Sequence, residues 1–520
     1  MWPQRKNANA PPSCGQWPLT PCGPAAGTLY FWLRMEDITV KTLSQQAVDL
    51  MKRRGVDYGD VRVIESRDED ISVTNGVAES VSRQQSRGLG VRVLVGGAWG
   101  FHSSHVLTEE EAGSVVDQAI AIASASATVA GDPVRLAPAE PQRDQYTTPH
   151  DRDPFEVPLD AKLALLIGAS ERMMGKPVAL AQAFFTAYET RKLFASTEGG
   201  LIDQRIVETG GGIAATAVRD GDVQVRSYPS SFGGNFATSG YEFFESLDIA
   251  AHAERVRHEV VEMLDAPPCP SGRRTVILDG GQLALQVHES IGHPIELDRV
   301  LGMESAYAGD SFVTLDKLGR LQYGSSLVNV VADATVPTGL GTFAYDDEGV
   351  PAQRTPIITG GKFVGYMSSR ETAPLIDRTS SGTMRASSWD RIPLVRMTNV
   401  NLLPDRGTLD ELIADTGDGL LLSNNRSWSI DNKRLNFQFG TEAAWEITGG
   451  KLGRMFKNPT YTGVTPEFWN ACDAVCGPEE WRLWGIPGCG KGQPGQVAHV
   501  GHGVAPARFR NVEVGVIRQS

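Results

Sequence analysis

No run in this chain is apolar for long enough to cross a bilayer as a helix, which takes ~20 residues. Arg5 and Lys6 lie near the N-terminus, but no apolar core follows them. The stretch from Leu29 to Leu33 is too short for a secretory signal. Basic clusters are also scarce. The run around Arg53-Arg54, with Lys52 before it, is only three residues long, and the formal net charge of −13 leaves little to attract phosphates or anionic lipid. Nucleic acid and membrane are therefore not expected partners. Cysteine is sparse. Cys14, Cys22, Cys269, Cys472, Cys476 and Cys489 are too few in 520 residues for a disulfide scaffold, and free thiols in a cytoplasmic protein are expected. No tandem repeat is present, which excludes a solenoid. Gly88-Leu89-Gly90 and Gly96-Gly97 have no Gly-Lys-Ser/Thr after them, so they read as strand-end glycines rather than a nucleotide loop.

What remains is an ordinary globular balance, 41% hydrophobic and 21% charged, in a chain long enough for several domains. Residues 1–34 are rich in Pro and Gly and lack a period. They read as an upstream extension before initiation at Met35, or as a disordered tail, with no ordered fold expected in either case. From 35 to 130 the pattern is α+β. Leu43, Ala47, Leu50 and Met51 have helical spacing before a Gly55 stop. Strands follow, with Asn75-Gly76 as a hairpin turn. A second helix opens at Thr108, with Glu111 completing a capping box. Residues 131–158 hold six prolines and read as a linker or surface crossing. From 159 to 520 the chain reads as a larger β-rich domain. It has helices near 160–174 and 246–265, and hairpin signals at Glu198-Gly199-Gly200, Asp220-Gly221 and Gly360-Gly361. Thr275-Val276-Ile277-Leu278 is a short buried strand, and Gly280-Gly281 leads from it into a helix bearing two histidines. The fold class expected is α+β.

That helix carries His288-Glu289-Ser290-Ile291-Gly292-His293. Two imidazoles and a carboxylate suit a catalytic metal that takes three protein ligands and leaves one position open. The carboxylate would serve as the base that moves a proton. The spacing is i to i+5. On a regular helix, at ~100° per residue, the rings would point ~140° apart. Gly292 before the second histidine and Pro294 after it supply a means of distortion, and a π-type turn would align the pair. Glu296 reads as a further ligand, as a carboxylate behind a ligand, or, more simply, as a solvated surface residue. A third ligand could come from Cys472, Cys476, Cys489, His499 or His502, and spacing does not choose among them. Cys472 and Cys476 stand at helical i, i+4 spacing, and read as buried thiols more readily than as a second metal site.

Three segments together resemble the TldD/PmbA family of metallopeptidases, on the side that keeps the metal motif. They are His288-Glu-Ser-Ile-Gly-His293-Pro-Ile-Glu296, then Tyr345-Asp-Asp-Glu-Gly-Val-Pro351 with Thr355–Gly365, and Gly488-Cys-Gly-Lys-Gly-Gln493 running on to Ala507–Gly515. The resemblance covers roughly residues 36–517. It implies one zinc per chain held by His288, His293 and Cys489, with Glu289 as general base. It also implies peptide or unfolded-polypeptide substrates, and a dimer formed with a second copy or with a metal-free paralogue. An extra Pro-Gly within Lys491–Gln496 departs from many members, beside the substrate wall, and residues 1–34 have no family counterpart.

Other residues stand beside the site as candidates. The acidic turn Asp346, Asp347, Glu348 could meet a substrate amino terminus or lie near the metal, or be simply solvated. Arg385 could pair with a substrate carboxylate if it lies near the metal. His102, His105, His252 and His258 have no evident partners. The function expected is zinc-dependent peptide hydrolysis. The alternatives are a non-catalytic partner with a structural metal, and a metal amidase acting on a small molecule.

Overall fold

The computed structural model describes residues 37–129, 131–231, 233–307, 309–492 and 495–516. The expectation for residues 1–34 therefore lies outside the described residues. The chain opens with α1 (Asp37–Arg54), ended by Gly55 at φ +72°, where a side chain would be strained. Strands β1 (Tyr58–Thr74) and β2 (Val77–Val95) follow. They are joined by Asn75 and Gly76 at φ 51° and 74°, the two positive angles that a tight hairpin turn demands. Next come β3 (Ala98–Ser104) and α2 (Glu109–Ala127), whose N-cap Thr108 accepts from the Glu111 amide.

The segment 131–158 runs over the surface but contributes a strand, β4 (Arg143–Thr147). After α3 (Leu159–Met173) come β5 (Val178–Ser196), β6 (Leu201–Arg219), β7 (Asp222–Tyr228) and β8 (Asn235–Ala237). These strands form one sheet in the order β3-β2-β1-β5-β6-β4, with β7 and β8 also on β6. The first α+β segment and the chain beyond the proline-rich crossing thus share a sheet, because β1 pairs with β5 along nearly its whole length.

Alternation sorts the two faces of that sheet. Odd-numbered residues such as Val61, Val91 and Leu193 pack under α1 and α2. Further along the same strands Val73, Phe185 and Ile213 pack under α3 and α5 (Ile249–Asp265), which follows the short helix α4 (Tyr241–Ser246). The opposite face carries Arg62, Arg92, Lys192, Gln204 and Glu208, and it meets the C-terminal third of the chain. Gly88 and Gly90 lie inside β2, not at its end as expected. They make room on this face: a Cβ on Gly90 would sit 2.2 Å from the Trp389 carbonyl oxygen.

In the C-terminal third, β9 (Gly272–Leu278) belongs to a second sheet with strands Gly419–Ile430, Ala507–Val516, Pro459–Val464 and Asn436–Thr448. Pairing of the first and last of these closes a ring of five strands. Helix α6 (Gly280–Val287) leaves β9 and enters the largest hydrophobic core, among residues such as Phe439, Tyr461 and Val500. Burial of large apolar side chains at ~1.5–3 kcal/mol each holds this helix in place. Among the described residues, no helix is long and apolar enough to cross a membrane.

Candidate metal centre

Asp279 ends β9 and caps α6, its carboxylate accepting from the Gln282 amide at 2.8 Å. The helix then widens. Residues His288–Gly292 form one π-type turn in which the His293 amide donates to the His288 carbonyl, five residues back. That extra residue per turn brings the i and i+5 rings onto one side. Their centroids lie 4.8 Å apart with the planes perpendicular. Gly292 has ordinary helical angles, so space rather than conformation requires glycine there. A Cβ would approach the Met397 sulfur to 2.1 Å. Pro294, with no amide hydrogen, sits in a single 3₁₀ turn, His293–Ile295, that ends the helix.

The third donor arrives 196 residues later. Cys489 lies on the strand Arg482–Lys491, paired as a hairpin with Gln496–Val504, and its Sγ is 3.8 Å from His293 Nε2. Ligand atoms of His288, His293 and Cys489 all lie within 4.8 Å of one another, and all three residues are buried. Behind them the second nitrogen of each ring is tied. His293 Nδ1 meets Glu296 Oε2 at 3.0 Å, and His288 Nδ1 meets His502 Nε2 at 2.9 Å. His502 Nδ1 in turn meets the Val400 carbonyl at 3.0 Å. A carbonyl only accepts, so His502 carries its proton on Nδ1 and accepts on Nε2. His288 must then donate from Nδ1, which leaves its Nε2 lone pair for a metal. The Glu296 carboxylate sets the same tautomer on His293.

Electrostatics agree with that assignment. Burial lowers the pKa of His288 and takes His293 and His502 well below the usual histidine value, so all three rings are neutral at pH 7. Burial alone would raise Cys489, but the neighbouring His293 and the Arg396 guanidinium outweigh it and hold the thiol below its ordinary value. Burial pushes Cys269, Cys472 and Cys476 each up to about 12, and neither Arg274 near Cys269 nor Arg508 near Cys472 offsets it. Cys472 and Cys476 are not on a helix, as their spacing suggested. Cys472–Val475 is a strand paired with Ala507–Val516, and both thiols serve packing.

Glu289 is buried beside the ligands, and its Oε2 accepts from Arg434 Nη1. Sequence reasoning missed Arg434. It sits in the turn between Gly419–Ile430 and Asn436–Thr448 at φ 63°, an angle unusual for arginine, and nothing local marks it as part of the site. Glu296 also faces Lys491 Nζ at 3.4 Å, and Lys491 bonds Asp298 at 2.7 Å, so the carboxylate behind His293 is itself held.

The acidic turn lies elsewhere. Asp346 accepts from the amides of Glu348, Val350 and Met384, Asp347 from Lys192 and the Ala386 amide, and Glu348 from Arg92 and the Arg370 amide. All three are buried, so the solvated turn is excluded, and they join the first sheet to the C-terminal third. Arg385 donates to the carbonyls of Met397 and His499. Asp346, Asp347 and Arg385 line a cleft beside the Cys489 hairpin rather than the ligand cluster. His499 bonds Glu208 at 2.6 Å and is not among the converging donors. His252 stacks on Tyr228, remote from the cluster in the fold.

Comparisons with known proteins bear on this geometry. Family models described as PmbA/TldA metallopeptidase domain 1, central domain and C-terminal domain match residues 59–123, 152–264 and 271–515. A metalloprotease of Methanocaldococcus jannaschii is 30% identical over 449 residues, which is 86% of this chain and 94% of that protein. A metalloprotease TldD homolog of Haemophilus influenzae is 27% identical over 92% of this chain and 98% of its own length. Among solved structures, a putative modulator of a DNA gyrase from Thermotoga maritima superposes with a TM-score of 0.73. It covers 91% of this chain and 100% of its own at 16% identity, a likeness of fold alone.

Proposed function

This chain belongs to the PmbA/TldD metallopeptidase family, and from that premise we propose that it is a zinc-dependent peptidase acting on peptides or unfolded protein segments. The observation that carries the reading is the convergence of two neutral imidazoles and a pKa-lowered thiol, with each ring's other nitrogen engaged. Mixed nitrogen and sulfur donors suit zinc over magnesium or calcium, which prefer oxygen. Donors around a tetrahedral zinc with bonds of ~2.0–2.3 Å stand ~3.5 Å apart. A small inward adjustment of buried side chains would accommodate one ion. Bound there, zinc supplies Lewis acidity to the scissile carbonyl and to a water.

The chain's own residues do the rest. His502 and Glu296 hold the two imidazoles in the ligating tautomer. Glu289 takes the proton from the attacking water and passes it to the leaving amine nitrogen. Arg434 fixes one oxygen of that carboxylate, which leaves the other for proton transfer. The proposal includes assembly as a dimer, with a second copy or a metal-free paralogue.

The test is zinc content per chain in the purified protein and in His288→Ala and Cys489→Ala, beside digestion of a peptide library with and without chelator. About one zinc in the parent, loss in both variants, and chelator-sensitive cleavage that Glu289→Gln abolishes while keeping its zinc would support the reading. Zinc without cleavage would favour a structural metal in a binding partner. Cleavage of small amides with an uncut library would favour an amidase.

A further inference from the structure

A cleft of about 120 Å³ lies between the polar face of β1, β5 and β6 and the Cys489 hairpin. Arg385 and Arg396 line it. Arg396 is almost wholly enclosed and Arg385 partly so, and neither hydrogen-bonds or ion-pairs with a carboxylate among the described residues. Arg385 spends Nη1 on two main-chain carbonyls, Met397 at 3.0 Å and His499 at 2.6 Å. Arg396, only 1% exposed, donates to the carbonyls of Cys489 and Gln496, and its Nε is buried with no partner at all. Glu208 and Asp347 are near enough to act on Arg385 through space, but the hydrogen bonds of both guanidinium groups go to carbonyls, and a bonded carboxylate is the usual complement of a buried guanidinium.

The carboxylates already in the cleft do not fill that place. Asp347 is held by Lys192 and the Ala386 amide. Glu208 is held by His499. Asp346 accepts from three main-chain amides. Each of these carboxylates is therefore already engaged within the protein. The cleft also adjoins one of the candidate metal ligands, Cys489. Arg396 bonds the main-chain carbonyl of Cys489 itself, and Ala498, which pairs with Cys489 across the hairpin, lines the same cleft.

We propose that this cleft is a carboxylate-binding subsite, in which Arg385 and Arg396 receive a carboxylate of the peptide substrate close to the bond to be cut. Two sources share that chemistry: the peptide's own C-terminus, and the side chain of an Asp or Glu. The inference rests on the peptidase reading for its substrate, but its test does not require cleavage.

The experiment is equilibrium binding to the zinc-loaded, full-length Glu289→Gln protein, read by fluorescence anisotropy. The probes are a fluorescein-labelled alanine-rich hexapeptide as the free acid, the same peptide as its C-terminal amide, and the amide with aspartate as its last residue. A charge-assisted contact predicts that the free acid binds on the order of tenfold or more tighter than the amide. Tight binding by the aspartyl amide would assign the site to side chains, and its failure would assign it to the C-terminus. Arg385→Gln and Arg385→Met should each abolish the preference while leaving zinc content unchanged and the protein folded at the assay temperature. Equal affinity for all three peptides, no binding by any, or a preference that survives both Arg385 variants would overturn the proposal. Cleavage by the parent protein without a carboxylate preference would sink the subsite alone. A carboxylate preference in a protein that never cleaves would sink the peptidase reading alone.

Discussion

His502 touches no metal in the arrangement described, yet replacing it should weaken metal binding. Its ring is fully buried and neutral, donates to the Val400 carbonyl, and accepts from His288 Nδ1 at 2.9 Å. In His502→Phe the ring volume is kept but the acceptor is gone. The His288 Nδ1 proton is then buried with no partner, at a cost of ~1–3 kcal/mol. The ring can escape that cost by moving its proton to Nε2, which removes the lone pair a metal needs. Either route opposes binding. Loss of a group behind a ligating histidine typically lowers metal affinity ~10–100-fold, or ~1.4–2.8 kcal/mol. The assay is zinc competition against a chromophoric chelator at pH 7.5, on the parent, His502→Phe and His502→Gln. The glutamine variant restores an acceptor and should recover most of the loss. If the phenylalanine variant folds and holds zinc within twofold of the parent, the tautomer argument is wrong.

Three further outcomes follow from the same geometry. Gly292→Ala should destabilise the chain by ~1–3 kcal/mol through the clash with the Met397 sulfur, and the cost should shrink in a Met397→Ala background; equal costs in both backgrounds would exclude that contact as the cause. Gly90→Ala meets a main-chain oxygen of Trp389 that cannot rotate away, so its loss of melting temperature should be larger, and should be insensitive to Trp389→Ala. For the metal-free protein, buried neutral His288, His293 and His502 bind fewer protons folded than unfolded. Their contribution to stability is whole above the ordinary histidine value of ~6.5 and is lost as pH falls through it. The urea midpoint should drop between pH 7.5 and 5.5, and drop less in His502→Phe; an identical drop would count against burial of neutral rings.

Local pattern carried a good part of this molecule. The turn at Asn75-Gly76, the cap at Thr108 and the stop at Gly55 were legible because each depends on residues within four positions of one another. The i, i+5 histidines with glycine before and proline after the second also implied the widened turn, since no regular helix aligns that spacing. The third donor was open among five residues. Cys489 is close only because the closed strand ring and the Arg482–Val504 hairpin bring it across 196 positions, and a contact at that separation leaves no period in the sequence. For the same reason Cys472 and Cys476 could have helical spacing although Cys472 opens a strand and Cys476 follows its end. Arg434 reaches Glu289 from a turn with no signature of its own. Sequence alone therefore determined the chemistry available on the His288–His293 segment and the turns that shape it locally. Tertiary structure decided which distant side chains complete it, because packing of the ring, and not local backbone preference, determines what stands within a few ångströms of the two histidines.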